Sequence, residues 1–305
     1  MILFTTGHEK FQFDHLMNWV HQVRDAFPGE EILVQYGNSN VVPSGGSIES
    51  VQLLSPGKFR EAVESARVIV SHCGEGNLLM LQEVGKPFVL VPRTKLRKEH
   101  VDDHQLELAE VLEREGLPVA LELVDLLAKL RNPRFVKFQF REEKIADALI
   151  ERNLAGDRVL LVSSSGGHFQ LMRTLEAYWG RFPKRLWATF ENKTTRTDLE
   201  GEAVVWAHHP TNRNIPNLMR NKILAYRTIK NFRPDVILTT GAGVAVPFLL
   251  LGKVMGCRTV FVESITRVKA LSLSARLLRS ARAIDTLVVQ HRELAARCPE
   301  AVVVA

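Results

Sequence analysis

A chain of 305 residues with 46% hydrophobic and 24% charged residues has an ordinary globular composition and is long enough to build two cores rather than one. Its net charge of +6 conceals an asymmetry: residues 157–305 carry 22 Lys/Arg against 11 Asp/Glu (+11), and residues 1–156 carry 18 against 23 (−5). Three cysteines without metal or redox spacing exclude a disulfide scaffold and point to packing thiols in a reducing cytosol, while the basic half points to an anionic partner.

The opening MILFTTGHEK lacks the charged and apolar regions of a signal peptide and reads as a strand over 1–6. Helix 11–27, strand 31–37, helix 57–66, strand 67–72, helix 76–85, strand 88–92, helix 103–115 and strand 118–123 follow. The charged stretch AKLRNPRFVKFQFREEKIADALIERNLAGD (128–157) closes on a capped helix, which suits an ordered linker. Domain bounds are therefore expected at 1–130 and 157–305, with a helical linker over 131–156. The second half continues with strands at 158–163, 185–190, 203–207, 235–240, 259–263 and 284–289. Helices fall between them near 169–180, 216–231, 244–255, 268–281 and 291–297. The longest uncharged run is seventeen residues between Asp235 and Lys253, too short and too broken by Gly, Thr and Pro to span a bilayer. Strand–helix alternation occurring twice predicts an α/β chain of two Rossmann-like domains with parallel sheets.

Ligands of open parallel sheets bind beyond the carboxyl ends of the strands, so the loops after strands carry the functional signal. Four are rich in Gly, Ser or Thr: TTGHEKFQFD, SHCGEGN, SSSGGHF and TTGAGVAVP. Glycines admit a ligand close to the backbone, hydroxyls donate, and the helix that follows offers free N–H groups at its positive end. None has the spacing of a dinucleotide or P-loop fingerprint, so the chemistry they suggest is a diphosphate cradle or a plain tight turn. In the acidic half RTKLRKEHVDDHQLELA gathers Arg93, Lys95, Arg97 and Lys98 ahead of Asp103, His104 and Gln105, a solvated face or a counter-charge for an anion. His100 and His104 stand at i,i+4, but the four cations before them disfavour a metal, and none is expected.

With these motifs in place the chain resembles a family. TTGHEKFQFDHL, SHCGEGN, GKPFVLVPR and EHVDDHQLELA are similar to the donor-binding subunit of the two-subunit N-acetylglucosaminyltransferase that adds the second sugar in lipid-linked oligosaccharide assembly. SSSGGHFQLM, TTGAGVAVPF, VESITRVKALSLSARLL and the late VVQ resemble its acceptor-binding, membrane-associating subunit. The likeness to bacterial capsular and exopolysaccharide transferases of the same build is closer still, and covers nearly the whole chain apart from the linker. It implies a glycosyltransferase B fold related to the peptidoglycan enzyme MurG, both subunits fused with the donor half first, the reverse of the usual order. It implies an inverting, metal-independent transfer from a UDP-sugar to a polyprenyl-pyrophosphate-linked saccharide, with no cofactor.

By position, the resemblance assigns Gly7, His8, Ser71, His72, Gly74, Glu75, Gly76, Asn77, Arg93, Asp103, His104 and Gln105 to the donor. It assigns Ser164, Ser165, Gly166, Gly167, Gly241, Gly243 and Arg267 to the acceptor, and names His168 as general base with Glu263 as rival. One position departs: where relatives carry a glutamate for the ribose this chain has Met80, with Glu83 three residues on. The stretch 213–233 sets Ile215, Leu218, Met219, Ile223 and Tyr226 in one stripe among basic residues, which predicts peripheral attachment to an anionic membrane on the cytoplasmic side. The resemblance leaves UDP-glucuronate, UDP-galactose and UDP-N-acetylglucosamine open as donor, and the RTKLRK loop, able to pair with a uronate carboxylate, favours UDP-glucuronate. A UDP-sugar epimerase and a non-catalytic recruiting subunit are the alternatives, and the lack of a basic patch interleaved with aromatics argues against nucleic acid.

Overall fold

The computed structural model describes residues 1–7, 11–152, 154–211 and 214–304. The chain forms two units, Met1–Gln139 and Phe140–Ala305. The segment expected as a linker divides between them, and its helix belongs to the second unit.

In the first unit β1 (Ile2–Thr5), α1 (Asp14–Ala26), β2 (Ile32–Gln35), β3 (Ile48–Val51), α2 (Pro56–Ser65), β4 (Val68–His72), α3 (Glu75–Val84), β5 (Phe88–Val91), α4 (His104–Arg114) and α5 (Leu123–Arg131) follow in order. Every strand pair is parallel, in the spatial order β3-β2-β1-β4-β5. Ile2, Phe4, Val68, Val70, Val89 and Val91 form one core with Leu16, Met17 and Val20 of α1 and Leu126 and Leu130 of α5. Leu3, Ile69 and Leu90, on the opposite face by strand alternation, are also fully buried. Burial on both faces is why these strands read as unbroken apolar runs rather than alternating ones.

Three elements here differ from expectation, one of them α5, which falls where the end of a strand and the start of the linker are expected. The strand expected at 118–123 is a single bridge between Val119 and Leu90. Pro118 accepts from Leu90 N at 2.8 Å but has no N–H to extend the ladder, and Glu122 already leads into α5. The edge strand β3, IESV, is half-exposed and carries too little apolar pattern to stand out.

The second unit contains α6 (Glu142–Glu151), β6 (Arg158–Val162), α7 (Gly167–Thr174), α8 (Glu176–Trp179), β7 (Lys184–Phe190), α9 (Lys193–Asp198), β8 (Val204–Ala207), α10 (Ile215–Phe232), β9 (Val236–Thr239), α11 (Ala245–Val254), β10 (Arg258–Val262), α12 (Leu273–Ser280), β11 (Thr286–Val289), α13 (Arg292–Ala295) and β12 (Val302–Val303). Seven parallel strands lie in the order β12-β11-β10-β9-β6-β7-β8. Leu160, Val162, Ile237 and Phe261 pack with α10, α11 and α12 on one face; Val159, Leu161, Leu238 and Val260 pack with α6, α7 and α8 on the other. The expected α/β architecture of two parallel-sheet units is found. Cys73, Cys257 and Cys298 are buried free thiols, and among the described residues no helix is long and apolar enough to cross a membrane.

Candidate functional site

In each sheet the strand order reverses at one place, and a crevice opens there between loops that leave in opposite directions. In the first unit the reversal lies between β1 and β4, in the second between β6 and β9. These strands precede the four loops singled out in the sequence.

At the first reversal Gly7 has φ +71°, and the His72 imidazole lies against it. A Cβ on Gly7 would sit 2.5 Å from His72 Cε1, and one on Gly74 would sit 2.8 Å from His72 Nε2. The ring is thus held between two backbones that only glycine leaves bare. Asn77, in the first turn of α3, donates to His72 Nδ1 at 2.9 Å and to Ser71 Oγ. Ser71, His72 and Glu75 are buried, and Gly74, Gly76 and Asn77 are half-buried. Met80 is half-buried and Glu83 exposed. Gly74→Ala, at an ordinary extended φ, is expected to cost about 1–3 kcal/mol by displacing the ring. Gly7→Ala should cost about 1 kcal/mol more through its left-handed backbone. Urea unfolding of G74A, H72A and the double variant checks this: strictly additive losses would dismiss the clamp.

The basic loop divides by orientation. Lys95, Arg97 and Lys98 are exposed, whereas Arg93 is fully buried. Its Nη2 donates to Thr6 O at 2.9 Å, and its guanidinium lies 4.9 Å from the Phe13 ring centre. Arg93 N donates to Gln105 Oε1 at 3.2 Å, and Gln105 is itself buried. Arg93 and Gln105 therefore brace the loop after β1 from below. Asp103 accepts from Lys95 N at 2.8 Å. Asp102 Oδ1 lies between His100 Nδ1, at 3.2 Å, and His104 Nδ1, bringing three possible metal-ligand atoms within 4.8 Å of one another. Buried Glu99 was not foreseen; it pairs with His15 and accepts from Thr94 N at 3.4 Å. His8 lies outside the described residues.

At the second reversal the loops after β6 and β9 come together. Thr240 Oγ1 donates to His168 O at 2.6 Å, and a Cβ on Gly241 would lie 3.2 Å from His168 Cε1. Gly241 has φ +115°. Half-buried His168 follows Ser164, Ser165, Gly166 and Gly167 in the first turn of α7. A third loop, unflagged in the sequence, also meets this place: a Cβ on Gly243 would lie 3.1 Å from Thr211 Oγ1. Buried Asn221 of α10 fastens that loop by accepting from His208 N at 2.8 Å and donating to His208 O at 2.9 Å; Asn217 donates to Pro210 O at 3.0 Å. Two asparagines buried on a helix face leave no apolar period, so only their pairing with a preceding loop could have signalled them.

Glu263 is fully buried, and its carboxylate is occupied with backbone. Oε1 accepts from Ser264 N at 3.1 Å and Oε2 from Ser272 N at 2.8 Å, so the side chain ties both ends of the loop between β10 and α12. Burial pushes its carboxyl above the usual range, opposed by the Ser272 bonds and the half-buried Arg267 guanidinium. Gln290 donates to Glu263 O at 3.0 Å and fixes the same corner. What the two crevices share is a glycine turn, backbone N–H groups at a helix start, and one imidazole, an arrangement able to hold a diphosphate and move a proton.

Residues 1–148 match the model of the glycosyltransferase family 28 C-terminal domain, and residues 208–305 match the model of the oligosaccharide biosynthesis protein Alg14 like. The human UDP-N-acetylglucosamine transferase subunit ALG13 is 38% identical over 88 residues, 28% of this chain and 7% of that protein. Its mouse counterpart is 30% identical over 115 residues, 37% and 10%. The chain thus spans a tenth or less of the length of these curated relatives. The solved structure of MurG from Acinetobacter baumannii has 12% identity and a TM-score of 0.38, covering 46% of this chain and 43% of that one. One polypeptide therefore joins, in this order, a region like the family 28 C-terminal domain and an Alg14-like region.

Proposed function

We propose that the chain is an inverting glycosyltransferase that moves a sugar from a UDP-sugar to a polyprenyl-pyrophosphate-linked saccharide. The observation that carries this is the presence in one chain of both matched regions, with glycine-bearing loops at the sheet reversal of each unit. In this reading the units are the two halves of a glycosyltransferase B enzyme, donor half first. Gly7 and the Ser71–Asn77 loop with the start of α3 hold the UDP diphosphate, and Ser164–Gly167 with Gly241 and Gly243 face the acceptor pyrophosphate. The acceptor hydroxyl gives its proton to His168 as its oxygen attacks the anomeric carbon from the face opposite UDP. The bond to UDP breaks with its electron pair, and N–H groups at the helix start stabilise the charge on the leaving diphosphate. No resident metal takes part.

Glucuronate is the donor sugar proposed: among the described residues no carboxylate pairs with Lys95, Arg97 or Lys98, which leaves exposed cations for a uronate in exopolysaccharide assembly. Attachment to the inner face of an anionic membrane is proposed through α10, where Ile215, Met219, Ile223 and Tyr226 are 72%, 51%, 54% and 48% exposed on the side opposite buried Asn217, Asn221 and Ala225. Arg213, at the start of the stretch, lies outside the described residues. The test is UDP release by the purified protein offered labelled UDP-sugars with extracted polyprenyl lipids. Release that requires a lipid-linked saccharide, fastest with UDP-glucuronate, is the expected result. Interconversion of UDP-sugars without lipid would make it an epimerase; binding without turnover would make it a recruiting subunit.

A further inference from the structure

At the amino ends of β9 and β10, away from the crevice, a cavity of about 510 Å³ opens between the ends of α10 and α11 and the start of β10. It is lined by Lys230, Arg233, Arg258, Asp235, Met255 and Gly256, among others, and its volume suits a small ligand. Three cations face one carboxylate, and that carboxylate is turned to the backbone: Asp235 Oδ2 accepts from Asp157 N at 2.8 Å and Arg158 N at 2.9 Å. Among the described residues no acidic group pairs with Lys230 or Arg233. The negative end of α10 accounts for Lys230 and Arg233 near its terminus, and Arg258, the first residue of β10, donates through Nη2 to Ala155 O at 3.1 Å.

The rim is apolar. Val254 is 84% exposed and Met255 39%, and Lys230 Nζ lies 5.8 Å from the Tyr226 ring, the last apolar member of the α10 stripe. An exposed apolar strip that ends in a basic cavity matches a molecule with an acyl chain and an anionic head. We infer that this cavity binds the phosphodiester headgroup of an anionic phospholipid, at the end of α10 remote from the crevice. The inference rests on the membrane-lying reading of α10 and is independent of sugar transfer. A free phosphate ion shares the head's chemistry but would gain nothing from the apolar rim.

The experiment is co-sedimentation of the whole chain with vesicles of phosphatidylcholine, with and without phosphatidylglycerol and free of polyprenyl lipid. Lys230→Gln with Arg233→Asn removes two charges; asparagine keeps the left-handed conformation of residue 233 (φ 50°). Arg181→Gln with Lys184→Gln removes the same charge from exposed positions before and at the start of β7. The first pair is expected to lose on the order of tenfold or more in affinity for the anionic vesicles, and the control pair a small fraction of that. Equal losses overturn the headgroup site and leave α10 attachment standing. A wild type that ignores anionic vesicles overturns both. Stabilisation of wild type alone by inorganic phosphate, with equal vesicle binding by both variants, assigns the cavity to a free anion and overturns the lipid.

Discussion

Replacing His168 by alanine is expected to lower turnover by about 10²–10⁴-fold while leaving the thermal midpoint near that of the wild type, because it removes the proposed general base and keeps the main-chain bond that fixes the position. The bond that fixes this position runs from Thr240 Oγ1 to the His168 main-chain oxygen, and alanine keeps it. The ring lies against Gly241. In the proposed reaction the loss falls on kcat, since the imidazole takes a proton only as the new bond forms. The limb of the pH–rate profile that reports the base should vanish with it. Single-turnover transfer to a lipid-linked saccharide measures this, and a variant with wild-type kcat would remove His168 from the role.

Glu263→Ala is expected to act the other way, on stability first. It strips the N–H groups of buried Ser264 and half-buried Ser272 of their acceptor, at a cost of about 1–3 kcal/mol for a donor left buried and unsatisfied. The wild-type carboxyl also carries a pH dependence. Its folded pKa is raised by burial above the ordinary carboxylate value, so the folded state holds the proton more tightly than the unfolded chain. Its contribution is therefore greatest at acid pH and declines as pH rises from the ordinary carboxylate range through the raised value. Melting curves from acid to neutral pH should show that decline in the wild type and lose it in Glu263→Gln. A Glu263→Gln protein with unchanged melting and abolished turnover would instead restore Glu263 as the base.

The fold was legible to the extent that strands were apolar on both faces. β1, β4, β5, β6, β9 and β10 stand within a residue or two of their expected bounds because each is a largely buried apolar run ended by polar residues, Gly or Pro. The misses follow from weak patterns: β3 is an edge strand of four residues with only two apolar side chains, and β12 has two residues in all. PVALEL over 118–123 reads as a strand because its valine and leucines outweigh Pro118, which ends the ladder.

The crevices were legible as loops but not as fittings. Nothing in SHCGEGN announces that its histidine leans back onto a glycine 65 positions earlier, and RTKLRK gives no sign that its first arginine turns inward while the others face solvent. Glu263 illustrates the same limit: a carboxylate after a strand reads as a candidate base, and its two backbone donors come into view only in the structure. Sequence spacing conveys which residues leave a strand together, whereas their partners come from neighbouring strands.

The imidazole lodged between two glycines also constrains how this chain can drift. Gly74 has an extended backbone, so only the bulk at position 72 forbids a side chain there. Gly7 is bound twice, by that bulk and by its own φ of +71°. A descendant that replaced His72 with serine would free position 74 to vary at once, while position 7 would stay glycine. Among distant copies of this sequence, residues 72 and 74 should change together, and residue 7 should record nothing of the exchange.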